Sequence, residues 1–127
     1  MRKMEDLLFT SEHEWVDVQE EEAYIGLTDF ASNALGDVVF VELPEVEESF
    51  ETGEVFGVVE SVKAAADMYM PVSGVILEVN TELEEDPGLV NQSPLEQWFI
   101  KIRITEKQQL EGLMKPKDYE RFCEEEA

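Results

Sequence analysis

Lys63 is the residue of this chain best placed to do chemistry. Between Met4 and Ile100 it is the only Lys or Arg, set among 24 Asp and Glu. Its setting is Glu60-Ser61-Val62-Lys63-Ala64-Ala65-Ala66-Asp67. The apolar runs on either side, residues 53–59 and 68–79, read as two β arms with Lys63 at the tip of the hairpin between them. A lone cation held out on a rigid turn, with small neighbours, suits an enzyme that must find and modify one lysine. By position alone the plainer reading leads, because most lysines are solvated surface groups.

The other reactive residue types point to structure. His13 is the only histidine and stands between Glu12 and Glu14. Adjacent residues of a strand point to opposite faces, so this triplet is a poor metal site, and a structural His paired with a nearby carboxylate is expected. Cys123 is the only cysteine, which excludes an internal disulfide. It falls in the apolar pattern of a terminal helix and is expected to pack as a small hydrophobe. Met68 and Met70 are expected to fill core or turn edges. The chain has no Gly-rich phosphate loop, no Cys/His metal spacing and no nucleophile with a convincing base.

The elements that must hold Lys63 follow from the patterning. Residues 14–19 and 23–27 bracket the acidic turn Glu20-Glu21-Glu22 as a hairpin. Thr28 is the predicted N-cap, and Asp29 a first-turn acid, of a short helix that runs to Leu35 and stops at Gly36. Residues 38–43 form an apolar run and predict a strand buried on both faces. Residues 44–48 read as a solvated loop, and 81–88 and 91–94 as loop or single-turn helix. Residues 98–104 alternate from Ile100 on, so one face is covered and one is wet. Thr105 and Gln108 predict a capping box for a helix carrying Leu110, Leu113 and Met114. Pro116 opens a second helix with Tyr119, Phe122 and Cys123, and Glu124–Glu126 reads as a frayed, solvated end. Many short strands with helices at the end suggest a compact β sandwich or barrel with peripheral helices.

At 127 residues and 43% hydrophobic the chain has the size and apolar content of one domain with a core. The expected division is a core over about residues 7–104 and C-terminal helices over about 105–124. The formal charge of −22 argues against nucleic acid and anionic membrane, and favours basic partners and a monomer. No apolar run approaches the roughly 18 residues of a membrane span. No signal or transit peptide is read, and a cytoplasmic location is the default.

The flanks of Lys63 add a specific signal. Glu60-Ser61-Val62-Lys63-Ala64 with Pro71-Val72-Ser73-Gly74 resembles the lipoylation site of the glycine cleavage system H-protein family. Ser11-Glu12-His13-Glu14-Trp15 resembles that family's N-terminal signature. Gly26-Leu27-Thr28-Asp29, then Leu35-Gly36-Asp37-Val38-Val39-Phe40-Val41-Glu42-Leu43-Pro44, Leu89-Val90-Asn91 and Trp98-Phe99-Ile100-Lys101-Ile102 match in order. The resemblance implies a mainly β fold, a lipoyl-domain-like barrel-sandwich hybrid with short peripheral and C-terminal helices. It implies lipoic acid as the cofactor, in amide linkage to Lys63 Nζ, and a carrier that is not itself an enzyme. The implied partners are a pyridoxal-phosphate-dependent glycine decarboxylase that loads an aminomethyl group, a tetrahydrofolate-dependent aminomethyltransferase, a dihydrolipoyl dehydrogenase, and a lipoyl-attaching enzyme. The family docks its loaded arm in a cleft. The matching positions are Glu14 and Asp67 for the ammonium, and Leu27, Ala31 and Leu35 for the apolar lining. Glu12 stands where family members often have Ser and is a further candidate, while Ala34 replaces a polar residue.

Other carriers compete. A biotin domain shares the hairpin but places its lysine between two methionines, where this chain has Val62 and Ala64. A lipoyl domain of a 2-oxo acid dehydrogenase lacks both the 11–15 segment and the terminal helices. A lipoate-relay protein is compatible with the same residues. An unmodified acidic interaction protein is the alternative from another class.

Overall fold

The computed structural model describes residues 2–126. A 3-10 turn at Met4–Asp6 leads into strands β1 (Leu8–Phe9), β2 (Glu14–Gln19) and β3 (Glu22–Leu27). Helix α1 (Asp29–Leu35) and β4 (Val38–Glu42) follow, then β5 (Ser49–Phe50), β6 (Val55–Ser61), β7 (Ala65–Tyr69) and β8 (Gly74–Val79). Two single-turn helices, α2 (Glu82–Glu85) and α3 (Leu89–Gln92), precede β9 (Trp98–Ile104). The chain then makes a 3-10 helix, Lys107–Gly112, and ends in α4 (Pro116–Glu126). All pairings are antiparallel. The strands form a larger sheet in the order β1-β2-β3-β9-β8-β5 and a smaller one in the order β4-β6-β7.

The two sheets share one hydrophobic core. Val16, Ile25, Ile76, Ile100 and Ile102 of the larger sheet cluster with Val41, Phe56, Val59 and Met68 of the smaller one and with Met70 just beyond it. Burying one such side chain contributes about 1.5–3 kcal/mol before entropy is counted. The alternation read in β9 is present, with Ile100, Ile102 and Ile104 buried and Arg103 exposed. A second cluster joins Leu7, Phe9 and Trp15 to Tyr119 of α4. The Phe9 and Tyr119 rings stack there at 4.4 Å. Gly26 belongs to this packing, because a Cβ at that position would strike the Trp15 indole.

Local signals hold where short-range chemistry decides. Thr28 caps α1, its hydroxyl accepting from the Ala31 N–H at 3.3 Å. Gly36 ends the helix at φ 77°, a conformation that favours glycine. The β2–β3 hairpin forms, with Glu22 already in the strand and Glu20 at φ 59° in the turn.

Three expectations are corrected by tertiary pairing. β4 is not buried on both faces: Val39 is 55% exposed and Phe40 46%. Among the described residues β4 pairs only with β6, and it carries a register shift between Val38 and Phe40 that turns these side chains outward. The capping box of Thr105 and Gln108 does not form, and Gln108 bonds Glu106 instead. An α-helix cannot run on there, because the backbone of Met114 exchanges hydrogen bonds with Phe9 at 2.8 and 2.9 Å and so must extend beside β1. The segment becomes a short 3-10 helix. The C-terminal acids are solvated as expected but not frayed, since α4 continues to Glu126.

Candidate functional site

Ser61 builds the tip that carries Lys63. Its hydroxyl oxygen accepts from the N–H groups of Lys63 and Ala64 at 3.2 and 3.1 Å, and it donates to the Ala64 carbonyl at 3.2 Å. The Ser61 N–H donates to that carbonyl as well, at 2.7 Å. The Val62 N–H donates to the Asp37 carbonyl at 3.0 Å, which ties the tip to the chain entering β4. Arg2, Lys101 and Lys107 pair with carboxylates at 2.9–3.4 Å, whereas Lys63 takes part in none of the ion pairs among the described residues. Its aliphatic stem lies over Gly36. A Cβ at that position would stand 3.2 Å from Lys63 Cε.

Two routes lead from Lys63 to Glu14. One is α1, seven residues and so about 10 Å long. It starts beside Glu14, whose strand partner is Leu27 and whose neighbour His13 accepts the Thr28 N–H at 3.1 Å. It ends at Gly36, against Lys63. The other is β7, which leaves the tip at Ala65 and ends at Tyr69, whose N–H donates to Glu14 Oε2 at 2.7 Å. Ala31 and Leu35 are half-buried on α1, and Asp67 is exposed midway along β7. Leu27 is in the core, 5% exposed.

Glu14 is 2% exposed, an unusual place for a carboxyl group. Burial pushes its pKa up to about 8. The Tyr69 N–H, and then the Thr10 hydroxyl at 3.2 Å from Oε1, pull it back by favouring the charged form, while the charge of Glu12 pushes it further up. Glu12 and Glu14 line one open cavity of about 520 Å³ together with Tyr69, Leu113, Met114 and Phe122. Lys63, Asp67, Leu27, Ala31 and Leu35 lie outside that lining.

A carboxyl with a raised pKa has a consequence for stability. Unfolded, Glu14 titrates near 4.5; folded, near 8. Between these values the folded protein holds a proton that the unfolded chain has lost. Stability from this group is therefore full below pH 4.5, falls as pH rises to 8, and is flat above, for a total of at most roughly 5 kcal/mol. Glu14→Gln removes that slope. The check is thermal melting from pH 5 to 9: the parent should lose stability across the range by several kcal/mol more than the variant.

His13 pairs with a carboxylate, but the partner is Glu126 at the other end of the chain and not its sequence neighbours. Nε2 lies 2.8 Å from Glu126 Oε1, and Nδ1 lies 2.8 Å from the Tyr119 hydroxyl. That hydroxyl is in turn 2.7 Å from Thr28 Oγ1, the α1 cap. The His13 ring stacks on Phe30 of α1 at 4.3 Å. Burial raises the Tyr119 pKa, so the phenol stays protonated in this chain of hydrogen bonds. Met68 and Met70 are core residues, and Cys123 packs half-buried in the second cluster. The described residues hold no group of three metal-ligating side chains. Sequence reasoning missed Thr10, Ser61 and the Tyr69 N–H. Ser61 stands two residues before Lys63, where a hydroxyl can cap its own turn, so a local signal existed. For the Tyr69 N–H there was none.

Comparison with known proteins adds to this geometry. A family model described as "Glycine cleavage H-protein" matches residues 7–126. A "Glycine cleavage system H protein" from Alkaliphilus oremlandii is 54% identical over 127 residues, all of both chains. One from Clostridium botulinum is 50% identical over 125 residues, covering 98% of this chain and 96% of the relative. The crystal structure of a glycine cleavage system H protein from Mycobacterium marinum superposes with a TM-score of 0.82 at 36% identity, covering 91% of this chain and 94% of that one.

Proposed function

The chain belongs to the glycine cleavage H-protein family, and from that premise we propose that residues 1–127 form one domain carrying lipoic acid as an amide on Lys63 Nζ. As a family member it is the lipoyl carrier of the glycine cleavage system, with a lipoyl-domain-like barrel-sandwich fold and no catalytic activity of its own. The relay and other-complex alternatives are not favoured by these likenesses.

The observation that carries the site is the place of Lys63: exposed, outside every ion pair among the described residues, on a hydrogen-bonded turn, with its stem in the space left by Gly36. That cradle fits an extended acyl arm, which a Cβ at position 36 would crowd. When bound, the lipoyl group supplies the sulfur to which the aminomethyl cargo is attached. The protein supplies position, confinement and charge. α1 and β7 both run from Lys63 toward Glu14, so an arm laid between them brings the cargo's nitrogen toward that carboxyl. Asp67 stands along the way, and Ala31 and Leu35, backed by Leu27, offer apolar surface. Glu12 enters the same cavity as Glu14 and is assigned to its charge balance. An ammonium beside Glu14 lowers the carboxyl's pKa, and a neutral amine arriving there finds a proton on Glu14 to take. Either way the nitrogen is held protonated, which prevents its lone pair from expelling the sulfur.

Family membership implies glycine decarboxylase and aminomethyltransferase as partners. Dihydrolipoyl dehydrogenase, a lipoyl-attaching enzyme, a monomeric state and a cytoplasmic location complete the proposal. No helix among the described residues is long and apolar enough to cross a membrane. The test is the intact mass of the protein from its native host. One lipoyl addition, mapped to Lys63, is expected; a biotin addition or none would overturn the reading.

The charge of −22 makes a kinetic prediction. Encounter with basic patches on the partner enzymes should be steered electrostatically and screened by salt. The KM of glycine decarboxylase for this protein should rise several-fold from low salt to half-molar salt. A flat KM would mean that the acidic surface serves solubility alone.

A further inference from the structure

Thr10 occupies a position whose hydrogen bonds leave its hydroxyl one direction to point. The Thr10 oxygen accepts the N–H of Glu12 at 3.2 Å and the N–H of Glu14 at 3.2 Å. A threonine hydroxyl has two lone pairs and one proton. Both lone pairs are used, so the proton remains for the third neighbour, Glu14 Oε1, at 3.2 Å. The other carboxyl oxygen faces a second fixed donor, the Tyr69 N–H at 2.7 Å. Glu14 is thus gripped by one donor on each oxygen, and both donors favour its charged form. A protonated Glu14 must turn its O–H away from both.

We infer that Thr10 is a positioning residue for the cargo-guarding carboxylate: its hydroxyl holds Glu14 Oε1 as an acceptor and keeps the group ready to pair with an ammonium. The inference rests on the role proposed for Glu14 and extends it to a residue outside the cleft lining read from the sequence. The turn that makes this possible is local. The His13 N–H closes onto the Thr10 carbonyl at 3.1 Å, and His13 adopts φ 67° so that Glu14 enters β2 with its side chain folded back toward Thr10. Of the remaining titratable groups, Glu12 opposes ionisation of Glu14 by its charge, and Tyr69 lines the same cavity. From the far wall Leu113, Met114 and Phe122 contribute no titrating group, and the His13 ring turns away to Tyr119 and Glu126.

The experiment follows the Glu14 carboxyl carbon by NMR during a pH titration of the full-length, unloaded protein. Thr10→Val should move the Glu14 midpoint up by about one pH unit, the size expected for one hydrogen bond to a charged group. Thr10→Ser, which keeps the hydroxyl, should return the midpoint to that of the parent. A lowered melting temperature in Thr10→Val with an unmoved midpoint would show that the hydroxyl only builds the turn, and would overturn the inference. The parent supplies an independent check that needs no variant. Above the Glu14 midpoint the Thr10 hydroxyl proton should exchange slowly with water, and a freely exchanging proton would also overturn the inference. Failure of the functional reading looks different: Glu14→Ala would leave loss of the cargo unchanged while the Thr10→Val midpoint still moved.

Discussion

Lys63→Arg should abolish lipoylation and leave the fold intact. A guanidinium keeps the positive charge but is a poor acyl acceptor, so modification should fall from full occupancy to below detection by intact mass. Stability should change little, because Lys63 is exposed, takes part in no ion pair among the described residues and belongs to no core cluster. Substitutions at such positions usually stay within about 0.5 kcal/mol. The Ser61 hydrogen bonds that shape the tip involve only the backbone of residue 63 and survive the change. Full lipoylation of the variant, on any other lysine, would overturn the assignment. Melting is measured beside mass, so that loss of lipoylation is read from a variant that is folded.

Glu14→Ala should leave lipoylation of Lys63 normal and speed loss of the cargo about ten- to a hundredfold. A hydrogen bond between ionised partners contributes roughly 1.5–3 kcal/mol, and losing it from the docked arm raises the undocked population by that factor. Once undocked, an amine that had shed its proton to water would be free to expel the sulfur as thiolate, and water would then carry the one-carbon unit to formaldehyde with release of ammonia. The measurement loads the carrier, removes the decarboxylase and follows formaldehyde with time. The pH dependence has a definite sign. In acid the amine stays protonated without help, so parent and variant converge. The gap opens as pH rises into the neutral range, where Glu14 must ionise or give up its proton to hold the ammonium. Asp67→Asn should have a smaller effect, since Asp67 is exposed and its charge is partly screened by water. Equal decay for Glu14→Ala, Asp67→Asn and the parent would mean that neither carboxylate guards the arm.

Much of this molecule could be read from short stretches of sequence. The α1 cap at Thr28 and its stop at Gly36 need only the residues beside them, and so do the 14–27 hairpin and the alternating strand β9. Lys63 stood out because it is the one cation in a long acidic stretch between two apolar runs, and a hairpin tip is defined by what flanks it. The features that the sequence concealed are those made by distant partners. β4 looked like a strand buried on both faces, because an apolar run does not say how many sheet neighbours it has or whether a bulge turns it. The expected capping box near Thr105 yields to pairing between Met114 and Phe9, which lie 105 positions apart in the chain. His13 pairs with a carboxylate as expected, but that the carboxylate is Glu126 was decided by a left-handed turn that aims its ring at α4. Glu14 is the sharpest case. The sequence placed it among 31 acidic residues and the family resemblance marked it for a role. Only the folded chain buries it, brings the Tyr69 N–H across 55 positions to one oxygen, and turns the Thr10 hydroxyl to the other. A carboxyl's pKa depends on the dielectric and the donors around it, and those are properties of packing that no local stretch of sequence encodes.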